Sequence, residues 1–174
     1  MQSSQRRASG VPEPVLSSIG AEAGLTVEMA RVVAGARRRA LRDGDRQIDT
    51  AHLLHSLLEA DPEVRAAFEE GPQVAKVLGY LVQRSIGYGL RWQADVEGAA
   101  GQTPVAGWSP AAVSAMEGAR ARAAERGDPE AGGTDLLAAL AVDRDCRAVE
   151  VLRRAGVDPG LLAGRLCAAA IRRG

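Results

Sequence analysis

His52 and His55 are the residues of this chain with the clearest potential to bind a metal ion. They lie three positions apart on a predicted helix, with Asp49 nearby. Such a pair supplies two ligands, whereas a zinc site needs three or four. Because no third ligand is apparent from the spacing, we predict no metal site and no cofactor.

The motifs of nucleophilic catalysis and of nucleotide binding are absent from the sequence. Cys146 and Cys167 have no neighbouring histidine, and no serine lies in a Gly-x-Ser-x-Gly turn. A phosphate-binding loop ends in Gly-Lys-Ser or Gly-Lys-Thr, but Lys76, the only lysine, is followed by Val77. The sequence therefore predicts neither an enzyme nor an ATPase.

A basic cluster extends from Arg37 to Arg46 and contains Arg37–Arg39, Arg42 and Arg46. The helical phase spreads these side chains over much of the helix circumference. A solvated face is the simpler interpretation. Contact with DNA or with an acidic peptide is the functional alternative.

Composition favours a helical protein without a strong attraction to nucleic acid or membranes. The 174 residues are 46% hydrophobic but only 3% aromatic, with zero formal net charge. Apolar residues of this kind, mostly Ala, Leu and Val, favour helix packing. No apolar run approaches the ~20 residues that span a bilayer. We read the two cysteines as free thiols, and we expect a cytoplasmic protein.

The histidines and the basic cluster described above lie in a sequence unit that occurs twice in the chain. Leu25–Met29 begins the first copy and Trp108–Ala112 begins the second, at an offset of 83 residues (108 minus 25). The offset holds without a gap for about thirty positions; for example, Gly44-Asp45 returns as Gly127-Asp128 and Leu53-Leu54 as Leu136-Leu137. An internal period of this kind indicates a duplicated supersecondary unit.

Each copy contains four segments with helical periodicity. Thr26 and Ser109 are candidate N-caps of the first helix in each copy, and Gly44 is expected to end the first of them. Asp61-Pro62 and Asp158-Pro159 are expected to begin later helices. We therefore predict an all-α fold with eight helices in two four-helix repeats related by a pseudo-twofold axis.

The predicted boundaries follow from the breakers between these segments. We expect a flexible N-terminal arm over residues 1–23, the first repeat over 24–86, a linker over 87–107 and the second repeat over 108–174. Trp92 lies within the linker. It either attaches the linker to the core, which we favour, or contacts a partner.

The duplicated pattern resembles the Clp N-terminal domain, the double four-helix repeat that precedes the ATPase rings of ClpA, ClpB and ClpC. Each repeat of that family opens with an aromatic or apolar residue and Thr, followed by an amphipathic helix. A Gly-containing turn comes next, and then a Gly-Thr-Glu-His-Ile/Leu-Leu segment. The matching residues here are Leu25-Thr26, Gly44 and Ile48–Leu54 in the first repeat, and Trp108–Pro110, Gly127 and Gly132–Leu137 in the second. Val151–Asp158 resembles the end of the family's third helix, and the resemblance covers residues 24 to 172.

The sequence departs from this family at the glutamate of the Gly-Thr-Glu-His segment. In ClpC-type domains that glutamate is associated with recognition of phosphoarginine, since a carboxylate can bind a guanidinium through two hydrogen bonds. The matching residues here are Ala51 and Thr134, and neither is charged. We therefore predict that the chain does not recognise phosphoarginine by this route.

The resemblance implies a ligand-binding surface between the repeats. Trp108 takes the place of the aromatic residue that helps to line the surface where cyclic peptides that target ClpC dock. Packing of Trp108 on its own repeat is the alternative. The predicted peptide-binding residues are Leu25, Met29, Trp108, Pro110, Val113 and Glu117.

Two hypotheses for function remain open at this point. The first is a non-catalytic module that binds peptides, adaptors or cyclic-peptide antibiotics and acts as a modulator or decoy of a ClpC-type unfoldase. The second is a DNA-binding or stress-response regulator that uses the Arg37–Arg46 face.

Overall fold

The computed structural model describes residues 24–69, 71–86, 97–98 and 107–173. Within these ranges the chain forms eight helices and no β-strand. The predicted arm of residues 1–23 and most of the predicted linker, including Trp92, lie outside the described residues. In chain order the helices are α1 (Val27–Asp43), α2 (Thr50–Ala60), α3 (Pro62–Ala66), α4 (Gly71–Ser85), α5 (Pro110–Glu125), α6 (Gly133–Val142), α7 (Arg147–Arg154) and α8 (Pro159–Arg173).

The described helices fall into two groups of four, α1–α4 and α5–α8. Their lengths are 17, 11, 5 and 15 residues in the first group and 16, 10, 8 and 15 in the second. α1 and α5 begin 83 residues apart, at Val27 and Pro110, and so do α2 and α6, at Thr50 and Gly133. The predicted all-α class, with two pseudo-twofold-related repeats, is confirmed.

Two isolated β-bridges join the repeats in a symmetric way. Leu25 forms a parallel bridge with Ala131, and Ile48 forms one with Trp108. Adding 83 to Leu25 and Ile48 gives Trp108 and Ala131, so each bridge is the copy of the other. In the second bridge, the Ser109 amide donates to the Ile48 carbonyl at 2.8 Å. The bridges fix the chain that enters α1, α2, α5 and α6.

The predicted helix ends are found in both repeats. Thr26 Oγ1 accepts a hydrogen bond from the Met29 amide at 3.2 Å, and Ser109 Oγ accepts one from Ala112 at 3.1 Å. Gly44 ends α1 with a φ of 74°, a left-handed conformation that favours glycine. Local sequence therefore determines where the first helix of each repeat begins.

Loss of the Thr26 cap is expected to have a modest and local effect. Thr26→Ala removes the acceptor of one amide in the first turn of α1, which costs about 1 kcal/mol of unfolding free energy. Thr26→Ser keeps the acceptor and is expected to unfold like the wild type. Urea titration followed by circular dichroism measures both variants, and an equal loss in both would contradict the capping role.

Small residues bring the first two helices of each repeat close together. A Cβ added to Gly35 would lie 3.0 Å from Ser56 Oγ, and one added to Gly118 would lie 3.2 Å from the Cβ of Ala139. These pairs are also 83 residues apart, so both repeats use the same close contact. The low aromatic content predicted packing of this kind.

α2 and α6 are the central helices of the bundle. Every residue from Thr50 to Leu58 in α2 is buried, and so is every residue from Asp135 to Ala141 in α6. The polar members of these helices therefore need hydrogen-bonding partners within the protein. None of the described helices is long and apolar enough to cross a membrane.

Candidate functional site at the junction of the repeats

Glu97 is the central side chain of the junction between the repeats. It is 6% exposed, and each of its carboxylate oxygens accepts two hydrogen bonds. Oε1 accepts from the Thr50 amide at 2.9 Å and from Ser109 Oγ at 3.0 Å. Oε2 accepts from Thr50 Oγ1 at 2.5 Å and from the Arg147 amide at 2.8 Å.

The donors to Glu97 come from three helix N-termini. Thr50 and Arg147 are the first residues of α2 and α7, and Ser109 caps α5. The positive ends of helices attract an anion. Burial and the charge of Asp49 nevertheless raise the pKa of Glu97 above its ordinary value. With both oxygens fully used, this carboxylate holds the two repeats together.

Asp49 is a second buried carboxylate at the junction. Arg84 of α4 pairs with it, and Arg147 Nη1 lies 2.8 Å from its Oδ2. Its Oδ1 also accepts from the His52 amide at 2.8 Å. Burial alone would raise the pKa of Asp49, but the hydrogen bond and charge of His52 and the charge of Arg84 hold it below the ordinary value.

His52 completes the cap of α2. Its Nδ1 accepts a hydrogen bond from the Asp49 amide at 3.0 Å, which forms a capping box with the bond in the opposite direction. His55 does not join it, because its Nε2 lies 3.2 Å from Glu59 instead. The pairing of His52 with His55 that the spacing suggested is therefore absent.

His55 is expected to make stability depend on pH. Burial, followed by the charge of Arg39, lowers its pKa from 6.5 to about 4. A histidine with a lowered folded-state pKa contributes stability that is complete above pH 6.5 and is lost as the pH falls through about 4. We expect a loss of about 2–3 kcal/mol across this window.

Urea titrations at several pH values between 7 and 4 measure this loss. His55→Gln is expected to flatten the profile, because glutamine does not titrate. A His55→Gln profile as steep as that of the wild type would show that other groups are responsible.

The structure separates the predicted peptide-binding residues into buried and accessible ones. Met29 and Trp108 are 0% and 1% exposed and belong to the core. Burial of Trp108 fits the packing alternative, since no ligand can contact its ring in this conformation. The accessible ones are Leu25, Pro110 and Val113, which are half-buried, and Glu117, which is exposed.

The positions that match the family glutamate are Ala51 and Thr134. Ala51 is fully buried at the start of α2, and Thr134 is half-buried and lines a cavity of about 300 Å³. Neither side chain is a carboxylate that could pair with a guanidinium. That the chain does not recognise phosphoarginine by this route stays a prediction.

Cys146 is unsuited to nucleophilic chemistry. It is 2% exposed, and burial raises the pKa of its thiol to about 11. A thiol with this pKa is almost entirely protonated at neutral pH, so the nucleophilic thiolate is scarce. Cys167 is exposed.

Arginines from the basic cluster line a groove between α1 and α2. Its volume is about 550 Å³, and Arg39 in its wall pairs with Glu59. In the second repeat the positions matching Arg31, Arg38 and Arg42 are the uncharged or acidic residues Ser114, Ala121 and Glu125. Three of the four arginines that line this groove therefore have no basic counterpart in the second repeat, and the fourth, Arg39, is matched by Arg122. Its lining residues are Arg31, Gly35, Arg38, Arg39, Arg42, Ser56, Glu59 and Ala60.

Comparison with solved structures shows that the chain has the fold of a Clp N-terminal domain. The N-terminal domain of the chaperone ClpD from Arabidopsis thaliana is similar with a TM-score of 0.65 and 20% sequence identity. The match covers 84% of this chain and 94% of that domain.

A structure from a malarial protein secretion system is also similar, with a TM-score of 0.62 and 15% identity. That match covers 86% of this chain and 94% of the other. No protein-family model and no curated protein sequence matches the chain. At these identities the comparisons establish the fold.

Proposed function

We propose that this chain is a non-catalytic interaction module that binds peptide segments or adaptors and modulates a ClpC-type unfoldase. The observation that carries the proposal is the double four-helix repeat, whose structural match to a chaperone-associated domain covers 94% of that domain. The 174 residues contain no phosphate-binding loop of the Gly-Lys-Ser/Thr type. A guest held by these residues is therefore bound without being unfolded by them, as a decoy would bind it.

The proposed binding surface follows the start of α5. Val113 and Pro110 offer partly exposed apolar area, and Glu117 lies one helical turn beyond Val113. Leu25, the first-repeat counterpart of Trp108, is half-buried just before α1. Met29 and Trp108 support this surface from the core rather than contacting the guest. An apolar strip beside a carboxylate suits a peptide with apolar and basic side chains.

Calorimetric titration with ClpC adaptors and with cyclic peptides that target ClpC tests this proposal. We expect binding in the micromolar range, weakened at least about tenfold by Val113→Asp, which places a desolvated charge in the contact. Ala30→Asp is the matched control, because Ala30 is exposed at the equivalent position of α1. Absence of binding to every ligand at high micromolar concentration would contradict the proposal.

The arginine groove favours a second candidate function, binding of an acidic peptide or DNA. Arg31, Arg38 and Arg42 have no basic counterparts in the second repeat, so the fold itself does not require them. Replacing them with Ser, Ala and Glu, the residues of the second repeat, would abolish this binding while preserving the fold. Affinity for a DNA duplex and for an acidic peptide that falls with added salt would support it.

A further inference from the structure

Two carboxylates and a buried imidazole meet where α1 ends and α2 begins. Asp43 is the last residue of α1, Asp45 follows the Gly44 turn, and His52 lies in the first turn of α2. His52 Nε2 lies 3.0 Å from Asp45 Oδ2 and 3.7 Å from Asp43 Oδ2. One ligand atom from each residue lies within 4.8 Å of the others. Ligands around a tetrahedral zinc ion are separated by about 3.3 Å, a value between these two distances.

His52 Nε2 is a buried polar atom that points into this group without a hydrogen-bonding partner. The side chain is 2% exposed, and Nε2 makes no hydrogen bond to a described residue. Asp45 Oδ2 lies within ion-pair distance of Nε2 but makes no hydrogen bond with it. Buried polar atoms are nearly always paired with a protein group, a water or an ion. A water molecule or an ion is therefore expected beside this nitrogen.

The equivalent group of the second repeat contains a cation of its own. Adding 83 to Asp43, Asp45 and His52 gives Arg126, Asp128 and Asp135. There the guanidinium of Arg126 bridges the carboxylates, with Nη2 2.9 Å from Asp128 and Nη1 2.6 Å from Asp135. The second repeat thus has a covalently attached cation between its two acids.

The first repeat has two acids but an imidazole in place of the second carboxylate. Arg84 Nη2 lies 3.5 Å from Asp45 Oδ2, but Arg84 also pairs with Asp49. Asp43 Oδ2 accepts from Ser85 Oγ at 3.1 Å, a neutral donor. Asp43 Oδ1 also lies 3.6 Å from Nε of Arg42, whose side chain is largely exposed. A cation from solution between Asp43, Asp45 and His52 would add to these partners, as Arg126 does between its two acids.

The surroundings of the imidazole suit metal coordination. A metal ion at Nε2 requires the proton on Nδ1. Asp49 Oδ1, 3.0 Å from Nδ1, would then accept that proton, and the bond from the Asp49 amide to Nδ1 would be given up. Without the ion, Nδ1 accepts the Asp49 amide proton and Nε2 carries the hydrogen. The Asp45 side chain is 35% exposed, which leaves one side open for entry and for water ligands.

We propose that Asp43, Asp45 and His52 bind one divalent cation of the zinc class, with water in the remaining positions. One imidazole and two carboxylates suit Zn²⁺ or Co²⁺, whereas Mg²⁺ and Ca²⁺ prefer sites built from oxygen alone. The ion joins the end of α1 to the start of α2, as Arg126 joins α5 to α6. The site lies outside the proposed peptide surface and does not depend on that function.

Titration of the chelator-treated full chain with ZnCl₂ and CoCl₂ tests this proposal. The chain carries Cys167→Ser in every sample, because exposed Cys167 could bind zinc by itself. We expect one ion per chain, cobalt absorption typical of nitrogen and oxygen ligands, and no competition by excess Mg²⁺. Asp45→Asn should weaken binding at least about tenfold. Asp128→Asn, its counterpart in the second repeat, should leave binding unchanged.

Nitrogen NMR of the His52 ring supplies an independent readout. We expect the ring proton to move from Nε2 to Nδ1 when Zn²⁺ is added, with no such change in Asp45→Asn or at His55. Absence of binding would overturn the proposal. So would equal affinities of Asp45→Asn and Asp128→Asn, or an unchanged His52 tautomer in the zinc-loaded chain, since these would show an adventitious ion only.

Discussion

Trp108→Ala is expected to lower the free energy of unfolding by about 3–5 kcal/mol, the range for removal of a large buried aromatic side chain. Trp108 is 1% exposed and is among the largest fully buried side chains of the described chain. It also precedes α5 directly and pairs with Ile48 through the β-bridge. Its loss would therefore leave a cavity at the contact between the repeats.

Equilibrium urea unfolding followed by circular dichroism measures this effect. Leu25→Ala is the matched control, since Leu25 occupies the equivalent position of the first repeat but is only half-buried. We expect it to lose less than half as much. A loss below about 1 kcal/mol for Trp108→Ala would mean that the indole is not part of the core.

Glu97→Ala is expected to cost about 2–4 kcal/mol, because it leaves buried donors without an acceptor. Its carboxylate accepts hydrogen bonds from Thr50, Ser109 and Arg147, in helices of both repeats. Water can replace part of what is lost, which keeps the estimate below the sum of four bonds. Glu117→Ala removes an exposed glutamate and should change stability by less than about 0.5 kcal/mol.

The raised pKa of Glu97 predicts how the stability difference between the wild type and Glu97→Gln changes with pH. A carboxyl group whose folded-state pKa is raised contributes most stability below its ordinary pKa of 4.5, and that contribution is lost as the pH rises through the folded-state value. The stability advantage of the wild type over Glu97→Gln should therefore shrink as the pH increases above 4.5. An advantage that grows with pH would contradict the buried position of Glu97.

The internal repeat made the fold predictable from the sequence. The offset of 83 between Thr26 and Ser109 and between Gly44 and Gly127 located helix ends, and these signals depend on residues within a few positions. The two bridges were not predicted, because a single bridge pair has no strand-like alternation. They nevertheless obey the same offset, so the symmetry of the sequence continues into the contacts between repeats.

The candidate sites were less predictable, since they depend on contacts between distant residues. Glu97 is 47 residues from Thr50 and 50 from Arg147, in a segment rich in glycine whose pattern gave no signal. Trp108 is buried and forms a bridge with Ile48, 60 residues earlier in the chain, so its burial could not be read from its own helix. Asp43 and Asp45 flank the Gly44 turn, where acidic residues are common and indicate no site by themselves. Their alignment with Arg126 and Asp128 was the available signal that they form a charged group.

The most direct test of the account is an assay of substrate degradation by a ClpC-type unfoldase and its protease. Increasing amounts of the purified chain are added to a reaction that depends on an adaptor, and the rate of substrate loss is measured together with ATP hydrolysis. We predict that degradation is inhibited and that the inhibition saturates as the chain is added. Val113→Asp should weaken this inhibition, whereas Ala30→Asp should not. We also predict no ATP hydrolysis by the chain alone. An unchanged degradation rate at a hundredfold excess of the chain, or ATP turnover by the chain itself, would contradict the proposed function.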